Sequence, residues 1–153
     1  MELLVNGKFT EEELAELQSL LQEKKVEVAP YFTKTFSEAE LVRLLFRDLD
    51  AYQLLRDGLL FELIQWAVIR AYKWAKSKKP QAKINTSIEL HFKDKNGDVN
   101  PINVGFPPEE QEAWNQLKES VNVQFIESLD NQEIVNFYWD EKDKKLKVQR
   151  MKI

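Results

Sequence analysis

The chain has 153 residues, 43% hydrophobic and 31% charged, which suits one domain with a core of its own and excludes a disordered polymer. It contains no cysteine, so disulfides, thiolate zinc sites, iron–sulfur clusters and cysteine nucleophiles are excluded together. The net charge of −4 is uneven: residues 31–80 carry nine bases against six acids, between two acidic flanks, too small a basic excess to favour general nucleic-acid binding.

Glu2–Val5 is a short apolar run that suits a strand. Thr10 and Glu13 make a T-x-x-E capping box, and the spacing of Leu14, Leu17, Leu20 and Leu21 predicts a helix behind it. Val26 and Val28 alternate in a short strand ending at Pro30, and Tyr31–Phe36 reads as an extended link. Ser37 and Glu40 form a second capping box. Leu41, Leu44 and Leu45, with Val42 and Phe46 beside them, predict a short helix that turns at Asp48–Asp50.

Asp50–Lys79 then reads as one long helix. Asp50 and Gln53 supply a capping box, five cations from Arg70 to Lys79 suit its C-terminus, and Pro80 stops it. Leu60, Leu63, Ile64, Ala67, Val68, Ala71 and Ala75 share one apolar face. Trp66 and Ile69 fall instead on the polar side, among Glu62, Gln65, Arg70, Lys73 and Lys76. Gly58, inside the span, predicts a kink or a close packing point. The stretch does not suit a membrane: Glu62 and Arg70 would cost roughly 5 kcal/mol on insertion, and the large apolar side chains return only about 3.

At Pro80 the period changes from helical to alternating. Ile84, Thr86, Ile88, Leu90 and Phe92 face one way, and Asn85, Ser87, Glu89, His91 and Lys93 the other. Asp94–Gly97 is a hairpin turn. Pairing Phe92 with Val99 keeps two apolar residues together and is the favoured register; pairing with Pro101 is the alternative. Pro101 predicts an edge strand or a bulge, and Ile102, Val104 and Phe106 continue the alternation. Pro107–Glu110 opens a helix with Ala113, Trp114, Leu117 and Val121 along its apolar stripe. Val121–Glu127 is read as a strand, with continued helix to Leu129 as the rival. Val135, Phe137 and Trp139 alternate in a strand, Asp140–Lys144 makes a charged hairpin loop, and Leu146 and Val148 share a face of the last strand. Met151 and Ile153 lie on its other face, which implies a bulge or a frayed end.

Little of this carries catalytic chemistry. His91 is the sole histidine and neighbours Glu89, a carboxylate able to orient a general base, but no nucleophile is placed by spacing and the pattern equally describes a solvated strand face. Glu89-Leu90-His91 lacks the lysine of a metal-dependent nuclease strand. Asp140, Glu141 and Asp143 lack the glycine and terminal glutamate of a calcium loop. Four isolated glycines build no phosphate cradle. The aromatics are more informative. Trp66, Arg70 and Trp74 stand at i, i+4 and i+8, a spacing that allows an arginine to stack between two indoles or to anchor a binding surface; burial of both indoles in the core is the competing reading.

The sequence therefore predicts a single α+β domain over 1–153, with a helical half at 1–80 and a strand-rich half at 81–153. A mainly antiparallel, curved sheet packs on the long central helix beside two or three accessory helices. The expected function is non-catalytic protein interaction, as in an adaptor, an immunity-type inhibitor or a chaperone, through Trp66, Ile69, Arg70, Lys73 and Trp74. A protein partner or self-association is expected, nucleic acid is disfavoured, and no cofactor or metal is indicated. The absence of cysteine and of a visible signal peptide makes the cytoplasm the default location. The alternative is a ligand-binding or hydrolytic domain with a pocket between sheet and helix, using Tyr52, Tyr72, Glu62 or Asp57.

Overall fold

Seven strands of the computed structural model lie in one mixed sheet, in the order β2-β1-β3-β4-β5-β6-β7. The structure describes residues 1–31, 41–93, 97–130 and 132–152. The strands are β1 (Glu2–Asn6), β2 (Glu27–Pro30), β3 (Leu41–Asp48), β4 (Lys83–Lys93), β5 (Val99–Gly105), β6 (Glu133–Asp140) and β7 (Lys145–Lys152). The helices are α1 (Glu11–Leu21), α2 (Tyr52–Arg56), α3 (Leu60–Lys78), α4 (Gln111–Ser120) and α5 (Val123–Glu127). The expected α+β class is present, but the sheet is not mainly antiparallel: β1/β2, β3/β4 and β5/β6 are parallel, and β1/β3, β4/β5 and β6/β7 are antiparallel. The half expected to be mainly helical contributes three of the strands, of which β1 and β2 were expected and β3 was not.

The main correction concerns Leu41–Phe46, expected as helix and found as β3 in the interior of the sheet. Val42, Leu44 and Phe46 point into the core while Arg43 and Arg47 point out. A short apolar run of this kind fits either period; β1 and β4, pairing on both sides, impose the strand. The second capping box, Ser37 and Glu40, lies outside the described residues.

The long helix is in fact two. Asp57 and Gly58 form a turn between α2 and α3, with Gly58 at φ +74°, a left-handed conformation that suits a residue without Cβ. Asp50 does not cap: its N–H donates to Asp48 Oδ1 (3.0 Å), and Gln53 bonds Asp57 instead. Thr10 and Glu13 do form their predicted box at the start of α1, with bonds of 2.9 and 3.1 Å.

All the longer helices cover one face of the sheet. Val68 of α3 and Trp114 of α4 meet over Ile88 and Val104; Gln65 bonds Gln111; Glu16 of α1 pairs with Lys78 of α3. This arrangement has a topological consequence. β1 and β5 run the same way, yet β2 lies beside β1 towards one edge and β6 lies beside β5 towards the other. With every helix on one face, the β1–α1–β2 and β5–α4–α5–β6 crossovers have opposite hands. At least one is left-handed, against a rule that holds in about 98% of cases.

Three further expectations change. Phe92 opposes Asn100, neither Val99 nor Pro101. Asn100 is 1% exposed, and its Oδ1 accepts from the Glu133 N–H, so a polar side chain earns its core position by pairing a backbone donor. Pro101 sits on an interior strand, just before β5 begins its ladder with β6 at Ile102, so its missing N–H leaves no gap. Val121–Glu127 is not a strand: Asn122 accepts from Phe125 N–H (2.8 Å) and starts the separate helix α5. The last strand has no bulge, since its register with β6 is continuous from Lys145 to Lys152.

The face away from the helices carries a polar row among scattered apolar side chains such as Leu4, Leu45 and Ile134. Glu27, Glu2, Arg47, Glu89, Asn103, Asn136 and Gln149 stand in register as one row across all seven strands. Arg47 pairs with Glu2 (2.6 Å) and Asn103 bonds Asn136 (3.1 Å) within it.

Candidate functional site

Helix α3 lies between α1 and α4 and buries Leu60, Phe61, Ile64, Ala67, Val68, Ala71, Trp74 and Ala75. Its outer ridge carries the residues that the sequence singled out. Trp66 and Ile69 are half-buried; Arg70 and Lys73 are exposed. The Arg70 guanidinium carbon stands 4.8 Å from the Trp66 ring centre. Lys24 approaches the same ring at 5.2 Å from a 3-10 turn, Gln22–Lys24, that closes on the left-handed Lys25. Trp66 is thus flanked by two cations, each contact worth about 0.5–1 kcal/mol at an exposed site. Further along, Lys76 lies over Tyr72 (5.9 Å) and Lys79 over Phe9 (5.1 Å).

These cations differ from Lys78, whose bond to Glu16 (2.7 Å) raises its pKa. Lys24, Arg70, Lys73 and Lys76 have no ion pair to any described residue, so their charge is free to act outward. Lys24 was missed by the sequence reading. Nothing in its spacing points to Trp66, because the contact exists only once α1 lies beside α3.

Trp74 sits elsewhere. It is 4% exposed and stacks on Phe9 with ring centres 4.6 Å apart, and its Nε1 has no hydrogen-bond partner among the described residues. The arginine between two indoles is therefore only half formed: Arg70 covers Trp66, while Trp74 belongs to the core.

Little space is left between sheet and helix. The void bounded by Val68, Ile88, Val104 and Trp114 measures about 10 Å³, room for one water at most. Two open grooves flank α3. One, about 330 Å³, has Glu62 and Lys118 as its ionisable residues, with Leu55, Phe61 and Val121 among its apolar walls. The other, about 360 Å³, runs past Tyr72, Asn85, Thr86 and Pro107. Glu62 and Tyr72 thus lie in different grooves, and Tyr52 and Asp57 line neither.

His91 Nε2 is 3.0 Å from Glu89 Oε1 on the sheet face away from the helices, as alternation predicted. Ser87 shares that face four residues back, about 13 Å along the strand and out of reach of the imidazole. The Asp140–Lys144 loop carboxylates are engaged within the hairpin, Asp140 and Asp143 by Lys147 and Glu141 by Lys144. Both loop acids Asp140 and Glu141 have lowered pKa values for that reason. No helix is long and apolar enough to cross a membrane among the described residues. No protein-family model, no curated protein and no solved structure matches the chain, so the reading of this surface rests on its own residues.

Proposed function

We propose that the protein is a non-catalytic interaction domain that docks an acidic protein partner on the outer ridge of α3. The observation that carries this reading is Trp66, a half-exposed indole flanked by Arg70 and Lys24, next to Lys73 and Lys76, none of these cations ion-paired to a described residue. Tryptophan and arginine are enriched at interface hot spots. The indole buries a large area at the cost of two torsions, and the planar guanidinium stacks and donates in a fixed fork. Cations without carboxylate partners make the site selective for negative charge and speed encounter. Ile69 supplies an apolar neighbour, and Trp74 supports the ridge from beneath without touching a partner.

The test is co-purification from the native host with wild type, Trp66→Lys and Arg70→Glu, each checked for fold by circular dichroism, alongside Lys118→Glu as a distant control. An acidic protein retained by wild type and control, and lost by both ridge variants, supports the reading. Retention by the ridge variants refutes it. Binding of duplex DNA or of phosphatidylserine vesicles that falls steeply with salt, with no protein partner, would assign the ridge to those polyanions instead.

A further inference from the structure

We infer that β7 is a self-association edge, on which a second copy of the chain adds its own β7 antiparallel to extend the sheet through a two-fold axis at Gln149. The two edges of the sheet differ. β2 has four residues and ends in Pro30, which cannot donate a ladder bond; β7 has eight residues, no proline and an unbroken register with β6. Lysines commonly guard such an edge, but here most are neutralised within the chain. Lys147 pairs with Asp140 (2.7 Å) and Asp143 (3.0 Å), Arg150 with Glu133 (2.9 Å), and Lys152 with Asp130 (2.9 Å). Apolar side chains are exposed on both faces beside this edge: Val148 on the helix side, and Met151 with Tyr138 of β6 on the other, 48%, 45% and 49% exposed.

The backbone chooses the register. Leu146 N–H donates to Gln116 Oε1 of α4 (2.7 Å) and Lys144 C=O accepts from the same amide, so Leu146 faces away from β6 and its donor is already used. Alternation then turns Val148, Arg150 and Lys152 outward with their backbone groups unpaired by β6. A copy centred on Gln149 sets each Val148 opposite the partner's Arg150. It forms about four backbone hydrogen bonds and leaves the Gln116 cap intact. Centring on Val148 would instead require the Leu146 N–H, and centring on Arg150 or Lys147 would oppose like charges.

The side chains agree with this choice. Lys147 faces the partner's Met151, and Leu146 faces the partner's Lys152, so no cation opposes a cation. On the face away from the helices, Gln149 ends the row that runs through Asn103 and Asn136. At the axis it meets the partner's Gln149, and the amide row continues into the second subunit.

The test uses sedimentation velocity from about 5 to 500 μM, a range suited to a small interface. A reversible monomer–dimer equilibrium is expected. Gln149→Lys sets lysine against lysine, and Val148→Lys sets lysine against the partner's Arg150; each should weaken the dimer by roughly tenfold while circular dichroism stays native. Because the chain has no cysteine, Gln149→Cys is a clean probe. A non-hydrogen-bonded antiparallel pair, Cα atoms about 4.5 Å apart, admits a disulfide. Gln149→Cys should oxidise to a covalent dimer, and Lys147→Cys, about 14 Å from its own copy, should not. A monomer throughout with no Gln149→Cys cross-link overturns the proposal. So does a dimer indifferent to both lysine variants, or Lys147→Cys cross-linking as readily as Gln149→Cys.

Discussion

Replacing Glu133 with glutamine should cost about 1–2 kcal/mol of stability at neutral pH, and the cost should fade in acid. The Glu133 side chain is 5% exposed and is gripped from two sides. Arg150 donates two bonds, one of 2.9 Å to Oε2, and the Asp130 N–H donates another of 2.9 Å. The Arg150 bonds are the main reason its pKa falls from 4.5 to about 2, with burial opposing them. A carboxyl held that far below its unfolded value is worth about 3 kcal/mol at pH 7. Arg150 is 39% exposed, so solvent screening reduces this to about 1–2 kcal/mol. The sign follows from the lowered pKa. The stabilisation is fully present above pH 4.5 and is lost as pH falls towards 2. Urea unfolding of wild type and Glu133→Gln, followed by tryptophan fluorescence at a concentration where the chain is monomeric, measures the difference at several pH values. A gap that is equally large at pH 7 and near pH 2.5, or smaller than about 0.5 kcal/mol at pH 7, would refute this account of the pair.

Two more perturbations test the corrected fold. Asn100→Ala leaves the buried Glu133 N–H without its acceptor and should cost about 2 kcal/mol by urea unfolding; a neutral result would mean that another group takes the donor. Gly58→Ala adds a Cβ that meets no atom within 4 Å, so its cost, about 1 kcal/mol, comes only from the left-handed backbone; Gly58→Asn should recover part of it, and an alanine variant as stable as wild type would show that the turn relaxes.

Local interactions were the legible part of the candidate site. The pairing of Trp66 with Arg70 follows from helical spacing alone, since residues four apart share a face wherever the helix packs. Whether an indole is covered does not follow from spacing. Trp74 is buried because Phe9, far away in the chain, lies on it, and Lys24 reaches Trp66 because α1 packs beside α3. The β7 edge was also hidden: Leu146 and Val148 were placed on one face, but the Gln116 cap and the pairing of Arg150 with Glu133 depend on how a helix and a neighbouring strand are set against it.

By itself the sequence determined the elements whose signals are short-ranged. These are α1 with its Thr10 box, the eleven-residue alternation of β4, the strands β1, β2, β5, β6 and β7, the helix α4, and a helix through Trp66 that is too charged for a membrane. The tertiary structure decided the rest. Leu41–Asp48 became a strand because β1 and β4 offered two ladders, a gain that outweighs the run's helical spacing. Val123–Glu127 became a helix because Asn122 capped it and Phe125 found Phe137 across the core. Phe92 met Asn100 because Glu133, on the next strand, needed an acceptor. In each case the deciding partner lies on another element, and a burial pattern read along one segment carries no information about which neighbour will arrive.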